Sequence, residues 1–385
     1  MTSHLKIYFT QSQNIAIGLI FTSMGFLFGN WVTMIPYVKQ KFSLNDAQLG
    51  LLLLSMPFAS TLMNPLTTLI INRFGIRQTT VWGALAMAAA YALPVNAPTL
   101  ILTSISLMLV GMSIATTNVA MNTCVTTIEQ QEGIFIMSTS HGMFSAGGML
   151  GSALASLLIG LNVAPIVQML LVSGSIIVLV LVVKPIIWKI QELPKPTSAD
   201  AKFVWPRGAL LGMIAISLCV NITEGSMADW TAVYMREVVR ANDFFIGWGF
   251  AFYAFLMATG RFLGDALIPK FGTRGILVMG GITAAIGITT AIGLPYTFSS
   301  IVGFGLVGAG VSCGSPILYG SAARLPNMAP GAGLATMNTF SIAGFLAGPA
   351  IIGLISNTFN LSIALALIAI LALIWSLLSK RTVLY

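Results

Sequence analysis

Twelve runs of apolar residues, each of a length that crosses a lipid bilayer, divide this chain; they lie at about 14–36, 47–70, 79–95, 99–126, 134–160, 164–187, 208–234, 245–268, 275–295, 299–322, 331–355 and 359–379. A helix rises about 1.5 Å per residue, so about 20 apolar residues span the hydrocarbon layer. Inside that layer every backbone N–H and C=O must find its partner within the protein, and runs of this length find it as α-helices. The runs predict an all-α integral membrane protein with twelve transmembrane helices, numbered 1 to 12 in chain order. Composition closes off the soluble alternative, because 57% hydrophobic against 7% charged residues cannot clothe a soluble surface. The run that begins near Ile15 is too long for a cleavable signal, and no small-residue cleavage site follows it.

The net charge of +8 could suggest a nucleic-acid partner, but the basic residues are scattered between apolar runs and form no stripe. They read as topology signals. Arg73 and Arg77, the basic residues from Lys184 to Arg207, Lys270 and Arg274, and Lys380 and Arg381 all fall on one side, against Lys39, Lys41, Arg236 and Arg240 on the other. Positive loops stay in the cytoplasm, which puts both termini there and predicts a bacterial inner-membrane location. Cys124, Cys219 and Cys313 stand singly inside predicted spans, with no spacing that suits a disulfide or a metal.

The long polar connection, KPIIWKIQELPKPTSADAKFVWPR at 184–207, separates six spans from six. The two sides repeat one another. NDAQLG at 45–50 returns as NDFFIG at 242–247, an offset of 197; the same offset pairs Phe74 and Gly75 with Phe271 and Gly272, and Gly111 with Gly308. The expected organisation is an N-terminal six-helix bundle at 1–185, a cytoplasmic linker at 186–207 and a C-terminal six-helix bundle at 208–385, the halves being parallel repeats about an axis along the membrane normal.

Two parallel six-helix repeats with a basic central loop resemble the major facilitator superfamily. The family's Gly/Asp/Arg/Gly signature after the second helix of each half is echoed by Asn72, Arg73, Gly75 and Arg77, and again by Gly264, Asp265, Lys270, Gly272 and Arg274. NVAMN at 118–122, MSTSHGMFSAGGMLG at 137–151 and EGSMADWTAVYMR at 224–236 are similar to a YbjJ-like bacterial branch near the fucose-permease type of sugar/proton symporter. The resemblance implies a central cavity lined mainly by helices 1, 4, 7 and 10, and transport by alternating access. Helix 4 lacks the intramembrane arginine of the family's proton-linked drug antiporters, and helix 5 lacks their Gly-Pro motif.

Polar residues inside the spans are costly and mark function or helix packing. Depth along each run suggests an outer cluster of Asn30, Trp31, Glu224, Asp229 and Trp230, and an inner cluster of Asn118, Asn122, His141, Tyr319 and Asn338. Amides and aromatic rings together suit the binding of a polar organic solute. The substrate-binding candidates are thus Asn30, Trp31, Asn118, Asn122, His141, Trp230, Tyr319 and Asn338. Glu224, Asp229 and His141 are the proton-coupling candidates. Glu224 is the acid expected to face the path, because a neutral acid passes through a closed, dry state at less cost than its anion. Asp229, five residues on and about 140° round the helix, is expected to be held by Arg236 at the outer rim. Arg73, Arg77, Arg261 and Asp265 are the gating candidates, Arg261 and Asp265 forming a latch near the inner face.

The reading that follows is a secondary active transporter of a small polar organic solute, a sugar or sugar-like metabolite, with protons as the coupling ion, no other cofactor, and a monomer in the bilayer. A proton-linked exporter of drug-like solutes, a uniporter and a transporter-like receptor are the rivals. No HExxH and no paired aspartates stand on a span, so an enzyme is not expected.

Overall fold

A computed structural model describes residues 8–192, 205–325 and 332–384, with the side chains of 265, 266, 332, 335 and 338 left out. Most of the linker therefore lies outside the described residues. The described chain is helical, without strands, and crosses the membrane as α1 (Ser12–Lys41), α2 (Asp46–Phe74), α3 (Ile76–Tyr91), α4 (Leu100–Glu132), α5 (Met137–Gly160), α6 (Pro165–Ile187), α7 (Ala209–Glu237), α8 and α9, α10 (Thr297–Ala323), α11 (Ala332–Thr358) and α12 (Leu361–Arg381). α8 and α9 share the helical stretch Trp248–Gly293, which breaks at Gly272. Eleven of these segments are long and apolar enough to span a bilayer; α3, at 16 residues, is prolonged by the turn Leu93–Asn96.

The repeat seen in the sequence is a repeat of structure. Asn45 caps the start of α2 in a reciprocal box with Gln48, and 197 positions later the Asn242 side chain accepts from the Phe244 amide just before α8. Gly75 and Gly272 both take positive φ, 84° and 68°, with ψ near 160°, a conformation that a side chain would strain. Gly111 of α4 rests on the Met56 backbone of α2, and its repeat mate Gly308 of α10 rests on the Tyr253 backbone of α8.

Two spans are broken by proline at matching logic. Pro57 cannot donate to the carbonyl of Leu53, and α2 divides there into Asp46–Leu53 and Ser55–Phe74; Pro316 cannot donate to Ser312, and α10 divides into Thr297–Val311 and Gly314–Ala323. α1 and α5 approach backbone to backbone at four glycines, since Gly25 and Gly29 face the backbone of Phe144 and Gly148 while Gly147 and Gly151 face that of Thr22 and Phe26.

The two halves meet unevenly. At the end bearing the loops after α1 and α7, here the latch end, Lys39 Nζ lies 2.5 Å from Asp46 Oδ1 in its own half and 2.6 Å from Glu237 Oε2 of the other. Ser356 of α11 donates to Asp46 as well. Ser152 and Ser156 of α5 donate to the carbonyls of Gly247 and Phe244 at 2.7 and 2.8 Å. Toward the opposite end, which carries the linker, α5 still packs on α8, but the Ser55–Phe74 part of α2 scarcely touches α11, whereas its Asp46–Leu53 part packs on it. On the α2–α11 side the halves are thus joined at the latch end and part toward the linker end, while on the α5–α8 side they stay in contact.

Candidate transport site

Glu224 stands midway along α7, which runs from the linker end to the latch end; α8 runs the other way. Because the Cα–Cβ bond tilts toward a helix's N-terminus, the Glu224 side chain leans toward the linker end and the Arg261 side chain toward the latch end. Arg261 lies within electrostatic range of Glu224, of Tyr253 on its own helix and of His141 on α5, and Tyr319 of α10 lies within range of Glu224.

The N-terminal half faces this group with a short chain of hydrogen bonds. Asn122 Nδ2 donates to Asn118 Oδ1 at 2.9 Å and to the Asn118 carbonyl at 2.8 Å. His141 Nε2 stands 3.2 Å from Asn122 Oδ1, and since an amide oxygen only accepts, the imidazole is the donor. Its ring meets Phe21 edge-on, 5.3 Å between centroids. Arg261 Nη1 donates to Ser145 Oγ at 2.8 Å, so a cation of one half is tied to a hydroxyl of the other. Ser138 also donates to the Arg261 carbonyl, at 3.3 Å.

Several polar atoms here are sealed from solvent and have no hydrogen-bond partner among the described residues: Glu224 Oε1, Arg261 Nε and Tyr253 OH, with Ser226 Oγ and Trp230 Nε1 further along α7. Leaving such groups unpaired costs about 1–3 kcal/mol each, more for a charged one. An acid, a cation and a phenol left so within one neighbourhood form a set that a polar ligand or a proton would satisfy.

Of the inner cluster expected from the sequence, Asn118, Asn122 and His141 are brought together by hydrogen bonds, while Tyr319 lies within range of Glu224. The side chain of Asn338 lies outside the described residues. The outer cluster is dissolved. Glu224 groups with inner residues, being within electrostatic range of Arg261 and Tyr319. Asn30 is a packing amide within the N-terminal half, donating to the Gly151 carbonyl at 3.1 Å and accepting from Gln168 Nε2 at 2.9 Å. Trp31 and Trp230 are 1% and 0% exposed, so neither offers a surface to a solute in this arrangement.

The expected Asp229–Arg236 pair does not form. Arg236 Nη1 instead bonds Asp243 Oδ1 at 2.6 Å, because Asp243 lies beside it in the following turn, whereas Asp229 is seven residues, about 10 Å, back along the helix. Asp229 makes no ion pair among the described residues.

Of the gating candidates, Arg77 Nε pairs with Glu192 at 3.2 Å and its Nη1 donates to the Trp188 carbonyl at 2.7 Å, both in its own half. Arg73 lies over the Phe74 ring. The Asp265 side chain lies outside the described residues, and the Arg261 side chain is committed to Ser145 and the neighbourhood of Glu224. Ser145 and Tyr253 were not singled out from the sequence. The signal for Tyr253 was available: it precedes Arg261 by eight residues, a little over two turns, inside a span that holds few other polar groups.

Twelve helical spans in two repeated halves, with polar groups from both halves converging between them, define a polytopic membrane carrier. The family model of the Major Facilitator Superfamily matches residues 16–326, and the chain belongs to that family. It is 32% identical over 368 residues to an uncharacterised MFS-type transporter of Yersinia pestis, covering 94% of each chain. Among solved structures it is similar to the nucleoside transporter NupG, with a TM-score of 0.70 at 10% identity over 97% of this chain and 99% of that one. It is also similar to the E. coli fucose:proton symporter FucP, with a TM-score of 0.66 at 14% identity over 97% of this chain and all of the other. At such identities these structures speak for the fold alone.

Proposed function

We propose that this chain is a proton-coupled secondary transporter of a small polar organic solute, with a sugar or sugar-like metabolite favoured, and that Glu224 carries the coupling proton. The observation that carries the reading is the sealed Glu224 Oε1, without a partner among the described residues and within electrostatic range of Arg261, which is itself within range of His141. With its proton, Glu224 is neutral and leaves Arg261 to Ser145 and the solute. Without it, the carboxylate draws the guanidinium, and the pair resists reorientation because separating buried opposite charges is expensive. Asn122, His141, Tyr253 and Tyr319 supply donors, acceptors and ring faces of the kind that hold a hydroxylated solute between repeats near mid-depth.

The latch end is taken as the outer face on the distribution of basic loops, which makes the present arrangement open toward the cytoplasm. The name of the fucose:proton symporter agrees with a sugar and a proton, but it describes that protein. The test is uptake into proteoliposomes under an imposed proton gradient, with substrate taken from a thermal-shift screen of metabolites. Wild type accumulates solute above equilibrium. Glu224→Gln retains counterflow but loses the pH-driven accumulation, and uphill uptake by Glu224→Gln defeats the assignment.

A further inference from the structure

Each half carries a groove on its outer flank, and the two are built from the same repeat positions. The first lies among α2, α3 and α4 and has a volume of about 680 Å³; the second lies among α8, α9 and α10 and measures about 280 Å³. At the offset of 197, Met63 answers to Gly260, Phe74 to Phe271, Trp82 to Met279 and Met112 to Ala309. α2 and α3 both pack on α4 but little on each other, so the first groove is floored by α4 and open at the side. Its walls are apolar and outward-facing, with Phe74 52%, Trp82 59% and Leu109 46% exposed.

What distinguishes the first groove is its mouth at the linker end. Lys184 Nζ lies 5.6 Å from the Trp82 ring centroid and 5.2 Å from that of Trp188, and the Arg73 guanidinium carbon lies 5.5 Å from the Phe74 ring. Arg77 nearby is neutralised by Glu192, whereas neither Lys184 nor Arg73 is in an ion pair among the described residues. Met279 replaces the tryptophan in the second groove, and among the described residues no cation lies over a ring there.

We propose that the groove among α2, α3 and α4 is a binding site for one anionic phospholipid of the leaflet at the linker end, an acyl chain lying in the groove and the phosphate held by Lys184 and Arg73 at its mouth. The chemistry is complementary at both ends. Hydrocarbon fills an apolar trough that the protein's own side chains leave open. Two unpaired cations on aromatic platforms sit where headgroups lie, with Trp82 at the interface position that its amphipathic ring prefers. Because α2 is the span that leaves α11 below its Pro57 break, a lipid seated against Met63, Ile70 and Phe74 packs on the part of α2 that has parted from the other half.

The test is native mass spectrometry of the purified chain titrated with dioleoylphosphatidylglycerol and, separately, dioleoylphosphatidylcholine. One phosphatidylglycerol should be retained in preference to phosphatidylcholine. Lys184→Gln should weaken its retention about fivefold, Trp82→Ala should weaken it too, Lys184→Arg should restore it, and Met279→Ala in the second groove should leave it unchanged. Trp82 and Lys184 are peripheral, and an unaltered thermal midpoint confirms that the variants fold. Equal retention of the two lipids, no retained lipid, or retention indifferent to Lys184→Gln and Trp82→Ala would each overturn the proposal.

Discussion

Asn122 holds the polar chain of the N-terminal half together, accepting from His141 while donating to Asn118. Removing its amide should weaken substrate binding about tenfold, the scale of one or two intramembrane hydrogen bonds, and His141→Ala should do the same. Isothermal titration with the screened substrate checks this; unchanged affinity in both variants would place the solute elsewhere. Asp229 makes no ion pair among the described residues and lies about 140° round the helix from Glu224, so Asp229→Asn is expected to keep pH-driven accumulation in the assay that Glu224→Gln fails. Arg261→Gln removes the cation between Ser145 and Glu224, and uptake by this variant should lose its steep dependence on pH while the protein still reaches the membrane. Residue identity told from the sequence that Glu224 needed an explanation. It did not tell which neighbours supply one, because a side chain several ångströms long reaches a depth other than that of its Cα.

Helices in this chain approach by omission of side chains. A methyl added at Gly25 would run into the Phe144 carbonyl, and one at Gly147 into that of Thr22. Gly25→Leu or Gly147→Leu should therefore force α1 and α5 apart, costing about 1–3 kcal/mol or more, visible as a lower thermal midpoint in detergent. Gly174 on α6 meets nothing within 4 Å and should accept alanine without loss. Most of these elements were legible in the apolar runs, since hydrocarbon leaves a helix as the available solution for each of them. The breaks at Pro57 and Pro316 follow from chemistry written in the sequence, while the glycine faces require knowing which helix lies opposite. Pro57→Ala should mend α2 and slow the exchange between closed and open arrangements, measurable as reduced turnover with unchanged binding.

The molecule as a whole is held shut at the latch end by few polar contacts, chiefly Lys39 with Glu237 and Ser156 with the Phe244 carbonyl. Lys39 is shared between Asp46 and Glu237, so Lys39→Ala leaves two carboxylates near one another and removes a cross-half tie worth about 1 kcal/mol, roughly a fivefold shift in the population open at that end. A cysteine placed at Ser152, in a background with Cys124, Cys219 and Cys313 replaced, should then react faster with a membrane-impermeant thiol reagent. Equal labelling in the presence and absence of Lys39 would show that the latch lies elsewhere. The repeat, the twelve spans and the family resemblance were all set by the sequence alone, because bilayer thickness and backbone hydrogen bonding dictate length and helicity from composition, and a duplicated chain keeps its turn signals in register. Only the tertiary structure decided which polar residues meet. Asn30, Trp31 and Trp230 went into packing, Arg236 turned to Asp243, and Arg261 of α8 bonded Ser145 of α5 within electrostatic range of Glu224. Helices running in opposite directions aim their side chains toward each other, and the depth at which they meet depends on packing that no single span encodes.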